Sequence, residues 1–308
     1  MAVCAYVYCR AVQDEGGDRC PVCGFPRDPQ RLREPDFLLS QEVAGLPPAL
    51  MDMHQILPAI DGVAELQLLA MERLGIERVL LQSAPDQARS LWGNDKLLAF
   101  ARERPERFWA SHFLDPRQPG ATESLAGVAA EGTRVIKLLP PAGFAPDDPA
   151  FDSFWAAMQE LGLVAMIHTG FITARHKEEE ARAGLFLSSR WANPLFLDLP
   201  ARKFPRLTFI LCHLGGGLWY EEAAHMVTHH GNVWGDVSGF GLEALKRLLF
   251  LRSPVDWGKV FWGNDSPPFA YPFNLRLHLA ALRDAGAEGL APALLCDNGR
   301  RFARAVLA

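Results

Sequence analysis

Eight short runs rich in β-branched and apolar residues, each followed by a stretch of helical period, constrain this chain more than any other feature. The runs are Leu50–Leu57, Arg78–Ser83, Phe108–Leu114, Arg134–Leu139, Val164–His168, Leu207–His213, Val233–Val237 and Lys259–Gly263. Near-continuous apolar strands alternating with helices predict a parallel sheet covered by helices. Between the runs, Gly62–Leu74 repeats Val63, Leu66, Leu69 and Ala70 on one helical face, and Phe151–Leu161 repeats Phe154, Trp155, Met158 and Leu161. Eight alternations close a barrel better than they fill an open sheet, so residues 49–308 are expected to form a (β/α)8 TIM barrel.

Residues 1–48 do not follow this pattern. They contain Cys4, Cys9, Cys20 and Cys23, then a polar run from Pro26 to Pro48 that reads as a linker, with the domain boundary at Pro47–Pro48. The pair in Cys20-Pro-Val-Cys23-Gly24 has the tight turn that lets two thiolates face one ion, while the Cys4–Cys9 spacing is looser. Four thiolates satisfy tetrahedral zinc with no open position, so a small structural zinc module is expected. Iron in a rubredoxin-like site and a metal-free cluster are the alternatives. Cys212 and Cys296 read as small buried hydrophobes.

A net charge of −5 and a pI near 6.0 argue against a broad grip on nucleic acid or on an anionic membrane. No run approaches the roughly 20 apolar residues of a membrane span, and the N-terminus lacks the apolar core of a secretion signal. The chain therefore reads as a soluble cytoplasmic protein. Its partner is expected to be a small neutral or carboxylate-bearing molecule, and its assembly the commonest one, a homodimer.

Three polar residues end apolar runs and precede glycine or proline turns: His168 in Ile-His-Thr-Gly, His213 in Cys-His-Leu-Gly-Gly-Gly and Asp265 in Gly-Asn-Asp-Ser-Pro. Barrels place their chemistry at the carboxyl ends of strands. One such histidine is ordinarily a hydrogen-bonded core residue, but three equivalent positions on different strands describe a site. Two imidazoles and a carboxylate suit zinc, manganese or iron, and hence water activation or carbonyl polarisation.

Several ordered motifs extend the pattern: Gly-Ile-Glu-Arg-Val-Leu-Leu from Gly75, Arg-Pro-Glu-Arg-Phe from Arg104, Leu-Asp-Pro-Arg from Leu114 and Val-Ile-Lys-Leu from Val135. Asn-Pro-Leu-Phe-Leu from Asn193, Val-Ser-Gly from Val237 and the three turns above complete the set. Together they resemble the amidohydrolase superfamily, in the branch of aminocarboxymuconate-semialdehyde decarboxylase. The resemblance implies that His168 and Asp265 are metal ligands, and that His213 orients water or stabilises charge on the substrate.

The first strand departs from the family pattern Asp-x-His-x-His, reading Asp52-Met53-His54-Gln55-Ile56. Ile56 or Gln55 stands in for the second histidine in two registers. In a third, acidic-x-His, Asp52 and His54 form the ligand pair on one strand face, since alternate side chains share a face.

Secondary candidates surround this set. Lys137 ends the fourth run as a carbamylated ligand, a holder of an anionic substrate, or a lysine closing a strand. Gln82 and His112 are candidate substrate contacts, and a core hydrogen bond serves His112 equally well. The longest connection, Gly170 to Asn193, brings Arg175, His176, Lys177, Arg190 and Trp191, where a carboxylate would meet positive charge and a flat ring. Asp236 and Ser238 read as a structural hydrogen bond. The leading functional expectation is a metal-dependent hydrolase of a small-molecule amide, lactone or ester, with Asp265 as proton acceptor and His213 stabilising the oxyanion. Non-oxidative decarboxylation on the same ligands is the alternative chemistry. A barrel without metal, acting by acid-base catalysis or by binding alone, is the alternative from another class.

Overall fold

The apolar runs form, among the described residues, eight parallel strands that follow one another around a sheet in sequence order. They are β1 (Leu50–Gln55), β2 (Ile76–Leu81), β3 (Phe108–Phe113), β4 (Val135–Leu138), β5 (Val164–His168), β6 (Thr208–Cys212), β7 (Val233–Asp236) and β8 (Val260–Phe261). The computed structural model describes residues 2–4, 6, 9, 12–13, 18–28, 31, 34, 39, 42–85, 90–172 and 186–307. In-register parallel pairs run from strand to strand, for example Val164, Met166 and His168 of β5 opposite Thr208, Ile210 and Cys212 of β6. The seam between β1 and the end of β8 is bridged where Met53 N–H donates to Trp262 O at 3.0 Å and Asp265 N–H donates to His54 O at 2.8 Å. The expected TIM barrel is the observed fold.

Helices α1 (Val63–Leu74), α2 (Asn94–Arg102), α3 (Ala121–Ala130), α4 (Asp152–Glu160), α5 (Asp198–Lys203), α6 (Tyr220–His229), α7 (Gly241–Leu251) and α8 (Tyr271–Asp284) lie outside the strands. Strand alternation divides the core in two. Met51, Met53, Met166, Ile210 and Phe261 fill the barrel interior, while Leu50, Val79, Ile136, Ile167 and Phe209 meet the helices. On α4, Phe154, Trp155 and Met158 are buried as their spacing predicts, and the Trp155 ring sits 5.8 Å from that of Phe209. Each such side chain contributes about 1.5–3 kcal/mol by leaving water.

The N-terminal segment pairs Ala2–Val3 antiparallel with Val12–Gln13 and places its cysteines against the barrel wall. The contact is aromatic. Tyr6 stacks on Phe25 at 5.1 Å, and both rings meet Phe273 of α8 edge-on at 5.6 and 5.3 Å.

Candidate active site

The first strand carries a bulge at the decisive place. Its register against β2 shifts between Asp52 and Gln55, so Met51 and Met53 point into the barrel while Asp52 points out to the helices. His54 is then re-aimed at the barrel mouth, where its Nε2 lies 3.5 Å from Asp265 Oδ1 and its ring 4.9 Å from that of His213. Bulges commonly redirect a side chain at active sites. The strict alternation that would put Asp52 and His54 on one face is thereby broken. Gly263 makes room, because a Cβ there would stand 2.4 Å from His54 Cβ.

Asp52 belongs to a closed ring of buried polar groups. Its Oδ1 accepts the His54 and Asn264 N–H groups at 2.9 and 3.2 Å, and its Oδ2 accepts the Tyr271 hydroxyl at 2.6 Å. Gln67 Nε2 donates to Tyr271 Oη, Gln55 Nε2 to Gln67 Oε1, and Asn264 Nδ2 to Gln55 Oε1, at 2.9, 2.8 and 3.1 Å. The ring ties β1 to α1, α8 and the turn that carries Asp265. Burial raises Asp52 to about 6 despite the donors around it.

His168 ends β5 and His213 follows β6, with ring centroids 4.9 Å apart. His213 (φ 63), Leu214 (φ 45) and Asp265 (φ 43) all adopt left-handed backbone that non-glycine residues avoid. Such strain costs about 1–3 kcal/mol per residue and gathers at functional sites. The glycines after His213 allow the turn, since a Cβ on Gly216 would strike Phe240 O at 2.4 Å. Thr169 Oγ1 locks the two strand ends together, donating to Cys212 O at 2.5 Å and accepting Gly215 N–H at 3.0 Å.

Asp236, at the end of β7, organises the histidines. Its Oδ2 receives His54 Nδ1–H at 2.9 Å, and its Oδ1 accepts the His213 N–H, Ser238 N–H and Ser238 hydroxyl at 3.0, 3.0 and 2.5 Å. His213 Nδ1 faces Ser238 O at 3.1 Å and therefore donates, which leaves a lone pair on its Nε2. Burial opposes charge on His54, but Asp236 and then Asp265 outweigh it and carry its pKa up to about 10. Burial likewise would raise Asp236, and His54 instead holds it far below the carboxylate range. Burial drives His213 down to about 4 against the pull of Asp265, and burial with His213 and Lys137 holds His168 well below the usual imidazole value. His213 thus stands between the other two imidazoles, its ring 4.9 Å from each, and a cation bound at His54 Nε2 would take the place of the second ring proton.

The amidohydrolase family profile matches residues 44–304, which is the barrel almost entire. The chain belongs to the amidohydrolase family. No curated protein matches it at a significant level. Among solved structures it resembles an uncharacterized TIM-barrel protein from Bordetella bronchiseptica, 17% identical over 83% of this chain and 98% of that one, with a TM-score of 0.61. It also resembles a 5-carboxyvanillate decarboxylase from Novosphingobium aromaticivorans complexed with manganese and a nitrobenzoic acid, 18% identical over 77% and 79%, TM-score 0.54. A third is a probable 2-pyrone-4,6-dicarboxylic acid hydrolase from Acinetobacter baumannii, 13% identical over 82% and 98%, TM-score 0.54. At these identities the likeness establishes the fold.

The donor set of this amidohydrolase barrel fits a divalent ion. Ligand atoms of His54, His213 and Asp265 lie within 4.8 Å of one another, and so do those of His54, Cys212 and Asp236. His168 is partly exposed, yet its Nε2 is sealed from solvent and has no hydrogen-bond partner among the described residues. A buried ring nitrogen left unpaired is costly, and an ion relieves that cost. The 3.5 Å between His54 Nε2 and Asp265 Oδ1 is close to the ~3.4 Å edge of a tetrahedron built on ~2.1 Å bonds. Neither Asp52 nor His168 is among these converging atoms: the Asp52 oxygens are taken by the ring described above, and the His168 ring stands behind His213 at 4.9 Å.

Lys137 is buried and donates to Cys212 Sγ at 2.8 Å, so Cys212 is more than an apolar filler. Gln82 is buried beside Ser111 Oγ at 3.3 Å, and its Nε2 has no partner among the described residues. His112 Nε2 meets Asn94 Nδ2 at 3.2 Å, at the start of α2. Trp191 lies half-buried with the Arg190 guanidinium 4.8 Å over its ring. Arg175, His176 and Lys177 lie outside the described residues. Sequence reading passed over the orienting role of Asp236, for which the only signal is the Asp-Val-Ser-Gly turn after β7.

The four N-terminal Sγ atoms converge within 4.8 Å, with Cys4 to Cys23 at 3.7 Å and Cys9 to Cys20 at 3.8 Å. Zinc thiolates ~2.3 Å from one ion stand ~3.8 Å apart, so the spacing matches. Burial raises Cys4 to about 11 when no cation offsets it.

Proposed function

We propose that this barrel is a metal-dependent hydrolase of a small amide, lactone or ester that carries a carboxylate. His54, His168 and Asp265 hold zinc or manganese, and the four cysteines hold a structural zinc. The observation that carries the reading is the unpartnered Nε2 of His168 beside the cluster of His54, His213 and Asp265. A divalent ion there supplies Lewis acidity and brings the pKa of water toward neutrality.

The chain's own residues do the rest. Asp236 fixes His54 with Nδ1 as donor, so Nε2 faces the site. His213 Nε2 orients the attacking water through its lone pair, because Ser238 keeps the ring proton on Nδ1. That tautomer fits water positioning better than donation to an oxyanion. Asp265 Oδ2, 3.8 Å from His213 Nδ1, accepts the water proton and returns it to the leaving group. Asp52 acts from outside the cluster, holding the His54 and Asn264 backbone.

Substrate recognition falls to the remaining polar and aromatic candidates. The Gln82 amide hydrogens and the Lys137 ammonium suit a carboxylate or carbonyl oxygen, and Trp191 with Arg190 suits a flat anionic body. Decarboxylation is the second reading, favoured by the buried Lys137 ammonium, which would grip a carboxylate beside the ligands, and by the chemistry of the carboxyvanillate relative. Zinc- or manganese-loaded protein incubated with aromatic carboxylates and carboxylated lactones separates them. Acid release without CO2 supports hydrolysis, CO2 release supports the lyase, and either activity must vanish in His168→Ala.

A further inference from the structure

A chain of side-chain hydrogen bonds runs from the cysteine module to the residue next to Asp265. Tyr6 lies between Cys4 and Cys9, and its hydroxyl meets Asn274 Oδ1 of α8 at 2.5 Å. Asn274 Nδ2 in turn donates to Asn264 O and Asn264 Oδ1, at 3.0 and 2.8 Å. Asn264 spends its own amide hydrogens on Gln55 Oε1 and Ser266 O at 3.1 and 2.7 Å, and its backbone N–H on Asp52 Oδ1. All these side chains are buried. Fully satisfied polar networks of this kind fix one conformation, and a missing member frees its neighbours.

The direction of each bond matters. Asn274 can present its NH2 to Asn264 only while its carbonyl oxygen faces Tyr6, so the tyrosine hydroxyl selects the amide orientation. Asn264 directly precedes Asp265, whose backbone sits at φ 43 and whose N–H closes onto His54 O at 2.8 Å. A residue in a sparsely populated conformation stays there only when its surroundings over-determine it.

We propose that the cysteine module is a positioning device for the active site: Tyr6, set in place by the four-cysteine cluster, holds Asn274 and through it the Asn264–Asp265 turn. Tyr6 is a positioning residue, since it touches neither the ligand cluster nor a substrate. The consequence for metal affinity rests on the proposed barrel metal, whereas the consequence for the turn does not.

Two measurements on the full zinc-loaded chain and its Tyr6→Phe variant test this. The substitution keeps the ring stacking on Phe25 and Phe273 and removes only the hydroxyl. Retained zinc and an unchanged unfolding temperature certify that the module is still folded. Hydrogen exchange of the segment spanning residues 262–268 is expected to quicken about three- to tenfold, the range for losing one hydrogen bond. Mn2+ affinity, read by the spin resonance of bound ion, is expected to fall by a similar factor, manganese being chosen because thiolates bind it poorly. Emptying the module with Cys20→Ser should quicken the same segment at least as much.

Unchanged exchange in Tyr6→Phe overturns the proposal, and if the parent binds Mn2+ the metal reading survives that result. Faster exchange in the variant than in the parent, with neither protein binding Mn2+, supports the positioning role and removes the barrel metal instead. If Tyr6→Phe loses its zinc, Asn274→Leu replaces it, with the same exchange expected and the same null result decisive.

Discussion

His54 Nδ1 lies 2.9 Å from Asp236 Oδ2, which leaves its Nε2 turned toward Asp265 at 3.5 Å. A carboxylate behind a metal-binding imidazole fixes its tautomer and raises its donor strength. Asp236→Asn is expected to weaken Mn2+ binding about 10- to 100-fold. Chelator competition measures it, and an unchanged affinity would remove Asp236 from the site.

Gly263→Ala asks whether the approach of β8 to β1 is as tight as it looks. The added methyl would press on His54 Cβ at 2.4 Å and His54 N at 2.9 Å. Neither atom belongs to a flexible side-chain end, so the strand must move. Overpacking of this kind costs about 1–3 kcal/mol. Urea unfolding reads the stability and Mn2+ titration reads the site, and both are expected to suffer together.

Much of this arrangement was legible in the sequence. The eight strands lie where the apolar runs put them, because β-branched and apolar runs bounded by turns need nothing beyond local information. His168, His213 and Asp265 were readable as strand-end residues for the same reason. The first strand was not. Period-two alternation put Asp52 and His54 on one face, and a bulge, fixed by pairing with β2 and the nearness of Gly263, separated them. The polar ring through Gln55, Gln67, Asn264 and Tyr271 was likewise hidden, since its members are up to 219 positions apart. No pattern within a window announces such a ring.

Asp52 makes a pH-dependent prediction. Burial raises its pKa from the usual 3.8 to about 6, so over that interval the folded protein holds a proton that the unfolded chain has released. Stability then falls with rising pH across the window, by about 3 kcal/mol at about 1.4 kcal/mol per unit. Asp52→Asn abolishes this contribution. The difference in unfolding free energy, variant minus parent, is expected to rise by about that amount between acid and neutral pH. A difference independent of pH would contradict it.

His213 and His168 should separate cleanly. His213→Asn removes the lone pair that orients water and should lower turnover about 10²- to 10⁴-fold. Its Mn2+ affinity should stay within a small factor of the parent's. His168→Ala should lose the ion itself. Equal loss of metal in both variants would make His213 a ligand.

Metal content per chain decides whether the barrel holds an ion, measured by elemental analysis on the parent, on Cys20→Ser/Cys23→Ser, and on that variant with His168→Ala added. The parent is expected to hold a zinc in the cysteine module and a second divalent ion in the barrel, with the barrel ion alone surviving the cysteine substitutions and disappearing once His168 is replaced. A folded cysteine variant that is free of metal, and that takes up neither added zinc nor manganese, would contradict it and leave a barrel working without metal.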